Sequence, residues 1–323
     1  MRFYHYPYPT PAGDMKLLRL PGLNPEDVLL DKKGRVLCGL EDGSILRMNA
    51  DGSDATVLIN TGGRPLGLDW LPDGRLLVCD CQRGLLAINL TSKAIDVLVD
   101  TVNGRKLMVC NNPSVAKDGT IYFSDSSQRY PLSKIRTELI EHIATGSLLR
   151  RNVDGSVEVL MNNLQFANGV VLSPDESFVL VAETGACRIN RVWLTGARKG
   201  NTEVFADDLP GMPDNMSLGS DGLFWVALPS AADPRLKLVH RLPAMVRRII
   251  ARVPDELQPA ELRSVLVMAF DADGKCVRFI EADPLRFHLV TGVREYRGHL
   301  YAGSVEENAV AIIKIPGSDI TVH

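Results

Sequence analysis

Glu26, Asn111, Asn168 and Asp214 each stand eight residues before the close of a turn, read as Lys33-Gly34, Asp118-Gly119, Asp175-Glu176 and Asp221-Gly222. Equivalent positions of a repeat stack in space, so two carboxylates and two amides are expected to converge on one point. All four offer hard oxygen and none is Cys or His. That set suits Ca²⁺ best, with Mg²⁺, Mn²⁺ or Zn²⁺ as the other divalent candidates. Asn215, beside Asp214, adds a fifth oxygen. Without an ion, two carboxylates crowded together would repel and a pKa would rise. Asp214 is the candidate to orient or deprotonate a water, since a carboxylate at such an ion can do both.

The elements that must position these residues are short strands with turn signals throughout. One unit recurs: an apolar strand, an Asp-Gly-like turn, a second apolar strand, a polar break, then two more strands. Representative strands are Val36-Leu-Cys-Gly-Leu, Leu76-Leu-Val-Cys-Asp, Thr120-Ile-Tyr-Phe-Ser-Asp, Phe178-Val-Leu-Val-Ala-Glu, Leu223-Phe-Trp-Val-Ala and Leu300-Tyr-Ala-Gly-Ser. Six such units predict an all-β, six-bladed β-propeller spanning residues 1–323 as one domain. The sixth unit lacks a fourth strand, and Met15-Lys-Leu-Leu-Arg-Leu is expected to supply it, which removes an exposed edge.

Counting back from each turn gives a ring of six: Glu26, Leu66, Asn111, Asn168, Asp214 and Val290. Leu66 and Val290, with nearby Trp70, form an apolar arc expected to admit a partly hydrophobic substrate. A second ring falls at the ends of the second strands, Asp80, Asp125, Glu183 and Ser304. Antiparallel pairing returns them to the same rim, where Asp125 and Glu183 could meet substrate hydroxyls or bond within the blades. His288 precedes the sixth inner strand and is a further pocket candidate. Two insertions, 128–146 and 229–264, leave this rim, so short helices on one face are expected. In the second, Leu242, Met245, Val246, Ile249, Ile250 and Val253 recur at helical spacing and Arg241, Arg247, Arg248 and Arg252 decorate them. A lid over the pocket is the expected arrangement, with a membrane-surface helix as the alternative.

Composition limits the partners. A net charge of −3 carries no polyanion signal, so no nucleic acid is expected. No apolar run reaches membrane-spanning length and the N-terminus has no apolar h-region, so neither a membrane partner nor a secretory leader is expected. The six cysteines have no paired metal spacing and read as reduced, buried thiols of a cytoplasmic protein. Gly-x-Ser-x-Gly and Gly-rich phosphate loops are absent. Oligomeric state is not encoded in any feature of the chain.

Several phrases resemble the calcium-dependent six-bladed propellers, a superfamily that includes senescence-marker protein/gluconolactonases, paraoxonases and strictosidine synthase-like proteins. They are Gly63-Arg-Pro-Leu-Gly-Leu68, Gly119-Thr-Ile-Tyr-Phe-Ser-Asp-Ser-Ser127, Phe166-Ala-Asn-Gly-Val-Val-Leu-Ser-Pro-Asp175 and Leu209-Pro-Gly-Met-Pro-Asp-Asn215. The strictosidine synthase-like type is nearest, and the likeness runs through nearly the whole chain. It implies a metal held by Glu26, Asn111, Asn168 and Asp214, with Asn215 as an extra ligand, and hydrolysis of a lactone or related ester. Two departures narrow it. Strictosidine synthase carries a catalytic glutamate where this chain reads Val290-Thr-Gly-Val, which argues against Pictet–Spengler condensation. Paraoxonases carry a histidine where this chain reads Pro65-Leu-Gly-Leu-Asp-Trp70. The rival expectations are a non-catalytic propeller with a structural metal, and a strictosidine synthase-like enzyme of another reaction type.

Overall fold

The computed structural model describes residues 6–254, 257 and 263–318. Six four-stranded antiparallel sheets follow one another as the blades of a propeller. Their inner strands are Val28–Leu30, Pro65–Trp70, Cys110–Val115, Ala167–Leu172, Met216–Leu218 and Val290–Tyr296. Blade 6 is completed by Met15–Arg19, which pairs antiparallel with Ala309–Lys314 from Met15↔Ile313 to Arg19↔Ala309. The expected closure of the ring by the N-terminal segment is therefore present. A short extra strand, Thr10–Pro11, runs parallel to the outer strand of blade 5.

Strands buried on both faces read as near-continuous apolar runs, and here the apolar side chains pack between neighbouring blades. Phe178, Phe205, Phe224 and Phe270 fill the space between blades 4 and 5. Trp225, wholly buried, packs with Phe287 and Val293 between blades 5 and 6. Polar ties add to this around the channel. Asp27 accepts from the Leu68 N–H at 3.0 Å, Asp69 from Val115 at 3.0 Å and Asn112 from Val170 at 2.8 Å. Ser217 donates to the Val293 carbonyl at 2.6 Å and Thr291 to the Glu26 carbonyl at 2.8 Å. These ties join neighbouring blades at or beside their inner strands at five of the six joints of the ring.

Among the described residues the insertions contain three short α-helices: α1 (Ile135–Glu141), α2 (Pro234–His240) and α3 (Ala244–Ile250). The helical spacing of the second insertion is broken in two by Leu242-Pro243, because proline cannot continue a helix and fits at the start of the next. Asp233 caps α2 by accepting from the Arg235 N–H. The insertions meet each other: His240 Nε2 lies 2.8 Å from the Leu139 carbonyl.

Candidate functional site

Glu26, Asn111, Asn168 and Asp214 come together on one cavity of about 540 Å³. The backbone register explains why. Pro65↔Asp80, Cys110↔Asp125, Ala167↔Glu183 and Val290↔Ser304 are equivalent pairs at the rim. The next residue of each inner strand, Leu66, Asn111, Asn168 or Thr291, faces the cavity.

The oxygens are poised without partners. Glu26 Oε2, Asn111 Oδ1, Asn168 Oδ1, Asp214 Oδ1 and Asn215 Oδ1 are buried and accept no hydrogen bond. Burying so many acceptors unsatisfied is costly unless something pairs them. The amide nitrogens are already used: Asn111 Nδ2 donates to Ser126 Oγ at 2.9 Å, Asn168 Nδ2 to Thr184 Oγ1 at 3.2 Å and Asn215 Nδ2 to Glu26 Oε1 at 3.1 Å. Those outer bonds fix which end of each amide faces the others. Thr184 is itself anchored, donating to the Pro213 carbonyl at 2.7 Å.

The electrostatics point the same way. Burial pushes Asp214 up to about 7, with the neighbouring Asn168 amide offsetting part of the rise. Glu26 is held well above the ordinary carboxylate range, first by burial, then by the charge of Asp214. The Arg64 guanidinium offsets this only in part. Two buried carboxylates and three amide oxygens are an oxygen-only set of the kind that suits a hard divalent cation. Among the described residues no group of three or more Cys, His, Asp or Glu side chains is placed to hold a metal ion, so any metal held here depends on amide oxygen as well as carboxylate.

The other expected site residues divide. Leu66 lines the cavity beside the oxygens. Val290 does not; it is buried in the core between blades 5 and 6, and Thr291 takes the ring position. The count from the turn fails only in this blade. Tyr296 pairs with His299 across a two-residue turn, whereas other blades use longer turns such as Asp31 to Arg35 and Leu71 to Arg75. Trp70 is half-buried between blades 1 and 2 and donates from Nε1 to the Leu30 carbonyl at 3.0 Å, away from the cavity.

Asp125 and Glu183 are also absent from the cavity wall. Asp125 accepts from the Val109 N–H at 2.8 Å, and burial pushes it up to about 6. Glu183 accepts from the Gln165 N–H at 2.8 Å and from Arg188 Nε at 2.6 Å. Asp80 and Ser304 do the same work, binding the Arg64 N–H at 3.1 Å and the His288 carbonyl at 2.8 Å. The second ring thus pins the loop that enters each inner strand. His288 is paired with Glu307 at 2.7 Å and Glu306 at 3.1 Å rather than lining the cavity.

Ser126 and Thr184, each one residue beyond the second ring, were not evident as positioning residues from spacing alone. Phe166 and Leu289 line the cavity immediately before inner strands 4 and 6, in left-handed backbone with φ of 65° and 48°. Bulky residues adopt this conformation only where the surroundings enforce it, and such strain gathers at functional sites.

Both insertions add aliphatic wall, Leu132, Ile135 and Leu139 from the first and Leu236, Val239 and Ile250 from the second, with Arg136, Asp233 and Arg235 among them. The insertions lie on the oxygen-bearing face, as expected for a lid.

Fold and site together define a six-bladed propeller with an oxygen-ringed central pocket under a helical lid. The chain belongs to the strictosidine synthase-like family. The strictosidine synthase family model matches residues 111–197, and the strictosidine synthase-like N-terminal model matches residues 13–48. Adipocyte plasma membrane-associated protein of Salmo salar is 35% identical over 295 residues, covering 83% of this chain and 70% of that one. Strictosidine synthase-like 7 of Arabidopsis thaliana is 31% identical, covering 91% and 81%. A gluconolactonase from Xanthomonas campestris has the same fold, with a TM-score of 0.67 at 18% identity over 94% of this chain and 89% of that one. Regucalcin from Agrobacterium tumefaciens, a calcium-binding protein, gives 0.65 at 14% identity over 97% and 96%.

Proposed function

We propose that the chain is a divalent-cation-dependent hydrolase, with Ca²⁺ the preferred ion, acting on a lactone or related ester with a substantial apolar part. The observation that carries this is the set of buried, unpartnered oxygens of Glu26, Asn111, Asn168 and Asp214 on a largely apolar cavity, with the equally unpartnered Asn215 Oδ1 in the residue next to Asp214. The structural likeness to a gluconolactonase and to a calcium-binding propeller supports the same reading at the level of fold.

Glu26, Asn111, Asn168 and Asp214 would hold the cation, with Asn215 as a fifth oxygen. When bound, such an ion polarises a carbonyl and stabilises the developing oxyanion. Asp214 orients a water and takes its proton at Oδ1 as the water oxygen bonds to the carbonyl carbon. The ester C–O bond then breaks and the proton passes to the departing alkoxide, leaving a hydroxy acid, or an acid and an alcohol. Ser126 and Thr184 keep the Asn111 and Asn168 oxygens aimed inward. Leu139, Leu236 and Val239 seat the apolar part of the substrate and exclude bulk water. With five of its six cysteines buried and all six unpaired, the chain suits a reducing, cytoplasmic setting.

The test is hydrolysis of a panel of lactones and aryl esters with and without chelator, beside Asp214→Asn at saturating Ca²⁺. Chelator-sensitive turnover that Asp214→Asn abolishes is expected. Activity indifferent to chelator overturns the metal role. Near wild-type turnover of Asp214→Asn at saturating Ca²⁺ would reduce Asp214 to a ligand.

A further inference from the structure

The lid is apolar on both sides. Ile250 and Leu236 face the cavity, while Met245 is 75% exposed, Ile249 61% and Leu238 62%. A lid that met only water would have no use for the outer set, and the described residues leave these side chains exposed. The same segment is strongly basic: residues 234–252 contain six Arg and Lys and no Asp or Glu, in a chain of net charge −3. Arg235 pairs with Asp233 and Lys237 with Asp208. Arg241, Arg248 and Arg252 are exposed and have no ion-pair partner among the described residues. On α3 and the turn that follows it, Met245, Arg248 and Arg252 recur at three- and four-residue steps beside Val246 and Ile249, with Arg241 and Leu242 just before the break at Pro243. Cationic and apolar rows therefore run side by side.

We infer that the outer face of this lid docks on an anionic lipid surface, with Met245 and Ile249 entering the headgroup boundary and Arg241, Arg248 and Arg252 meeting lipid phosphates and carboxylates. Apolar area plus basic flanks is the arrangement that binds the interface of a bilayer without crossing it. No helix among the described residues is long and apolar enough to cross a membrane, and the docking inferred here needs none. A second copy of the chain is the poorer occupant, because it would set two arginine-rich faces against each other. The consequence for the pocket is that its lid and its substrate's apolar part share one lipid surface.

The experiment is co-sedimentation of the whole chain with phosphatidylcholine vesicles that contain or lack phosphatidylserine. It needs no substrate, so it stands or falls apart from the hydrolase reading. Binding is expected to vesicles with phosphatidylserine and to weaken with salt. Arg248→Glu with Arg252→Glu should lower partitioning by at least about tenfold. Met245→Ser with Ile249→Ser should lower it too, and both variants, altered only at exposed positions, should keep the wild-type melting temperature. The inference is overturned if the wild type ignores phosphatidylserine vesicles, or if both variants bind as it does. It is overturned equally if the Met245/Ile249 variant converts a dimer to a monomer while vesicles go unbound.

Discussion

The imidazoles of His142 and His240 are stacked, with ring centroids 3.8 Å apart and planes 13° from parallel. His142 follows α1 in left-handed backbone and His240 ends α2, so the pair joins the two insertions of the lid. Burial pushes His142 down to about 4, and the charges of His240, Arg247 and Arg188 add to the shift. Burial lowers His240 as well. Lys237, Arg241 and Asp233 line the adjoining cleft, and only the last is acidic.

A histidine depressed in the folded state binds its proton more readily when released. The stacked contact is therefore at full strength above pH 6.5 and is lost as pH falls from about 6.5 to about 4. Hydrogen exchange, corrected for intrinsic rates, should show α1 and α2 losing protection at pH 5 relative to pH 7.5. His142→Phe keeps an aromatic stack without the titration and should flatten that difference.

Ser126 and Thr184 hold the Asn111 and Asn168 amides by their nitrogens. Thr184→Val and Ser126→Ala should each weaken Ca²⁺ binding roughly tenfold, the usual effect of removing an outer partner of a ligand. Calorimetric titration measures this directly. Unchanged affinity in both would mean that the amides aim themselves.

Asp27 accepts from the Val28 N–H at 2.8 Å and the Leu68 N–H at 3.0 Å, with the Arg294 guanidinium 3.8 Å away. Asp27→Ala leaves buried donors unpaired between blades 1 and 2. It should cost about 2–4 kcal/mol in urea unfolding. Asp27→Asn keeps an acceptor and should cost less.

Val239 and Leu236 narrow the aliphatic half of the cavity. Val239→Trp should lower kcat/KM for bulky lactones roughly tenfold while sparing small ones. Equal losses on both would place the apolar part of the substrate elsewhere.

The propeller was legible because its signals are local: turn residues at fixed spacing and apolar runs buried on both faces. The oxygen set was legible for the same reason, since each member stands at one distance before the residue that opens its turn, Asp31, Ala116, Ser173 or Gly219. Where the turn shortened to Arg297-Gly298, the count slipped one residue and named Val290 instead of Thr291. Asp125 and Glu183 were set on the correct rim, but spacing cannot tell a side chain that turns back to its own blade from one that looks into the channel. Trp70 likewise went to an interblade core. The left-handed backbone at Phe166 and Leu289 left no trace in composition, because neither residue type favours it. Asn215 reaches Glu26 across 189 residues, a contact that only the closed ring creates.

The joint between Met15–Arg19 and Ala309–Lys314 also sets a timetable for biosynthesis. The closing strand is translated first, and its partner emerges about 290 residues later, some 15–60 s at ordinary elongation rates. Throughout that interval Leu17 and Leu18 sit on an unclaimed edge, free to pair with any chain that offers one. The edge strand of a neighbouring nascent chain is the nearest mimic of the true partner. Crowded polysomes and concentrated refolding mixtures should therefore produce exchanged dimers in which each chain closes the other's ring.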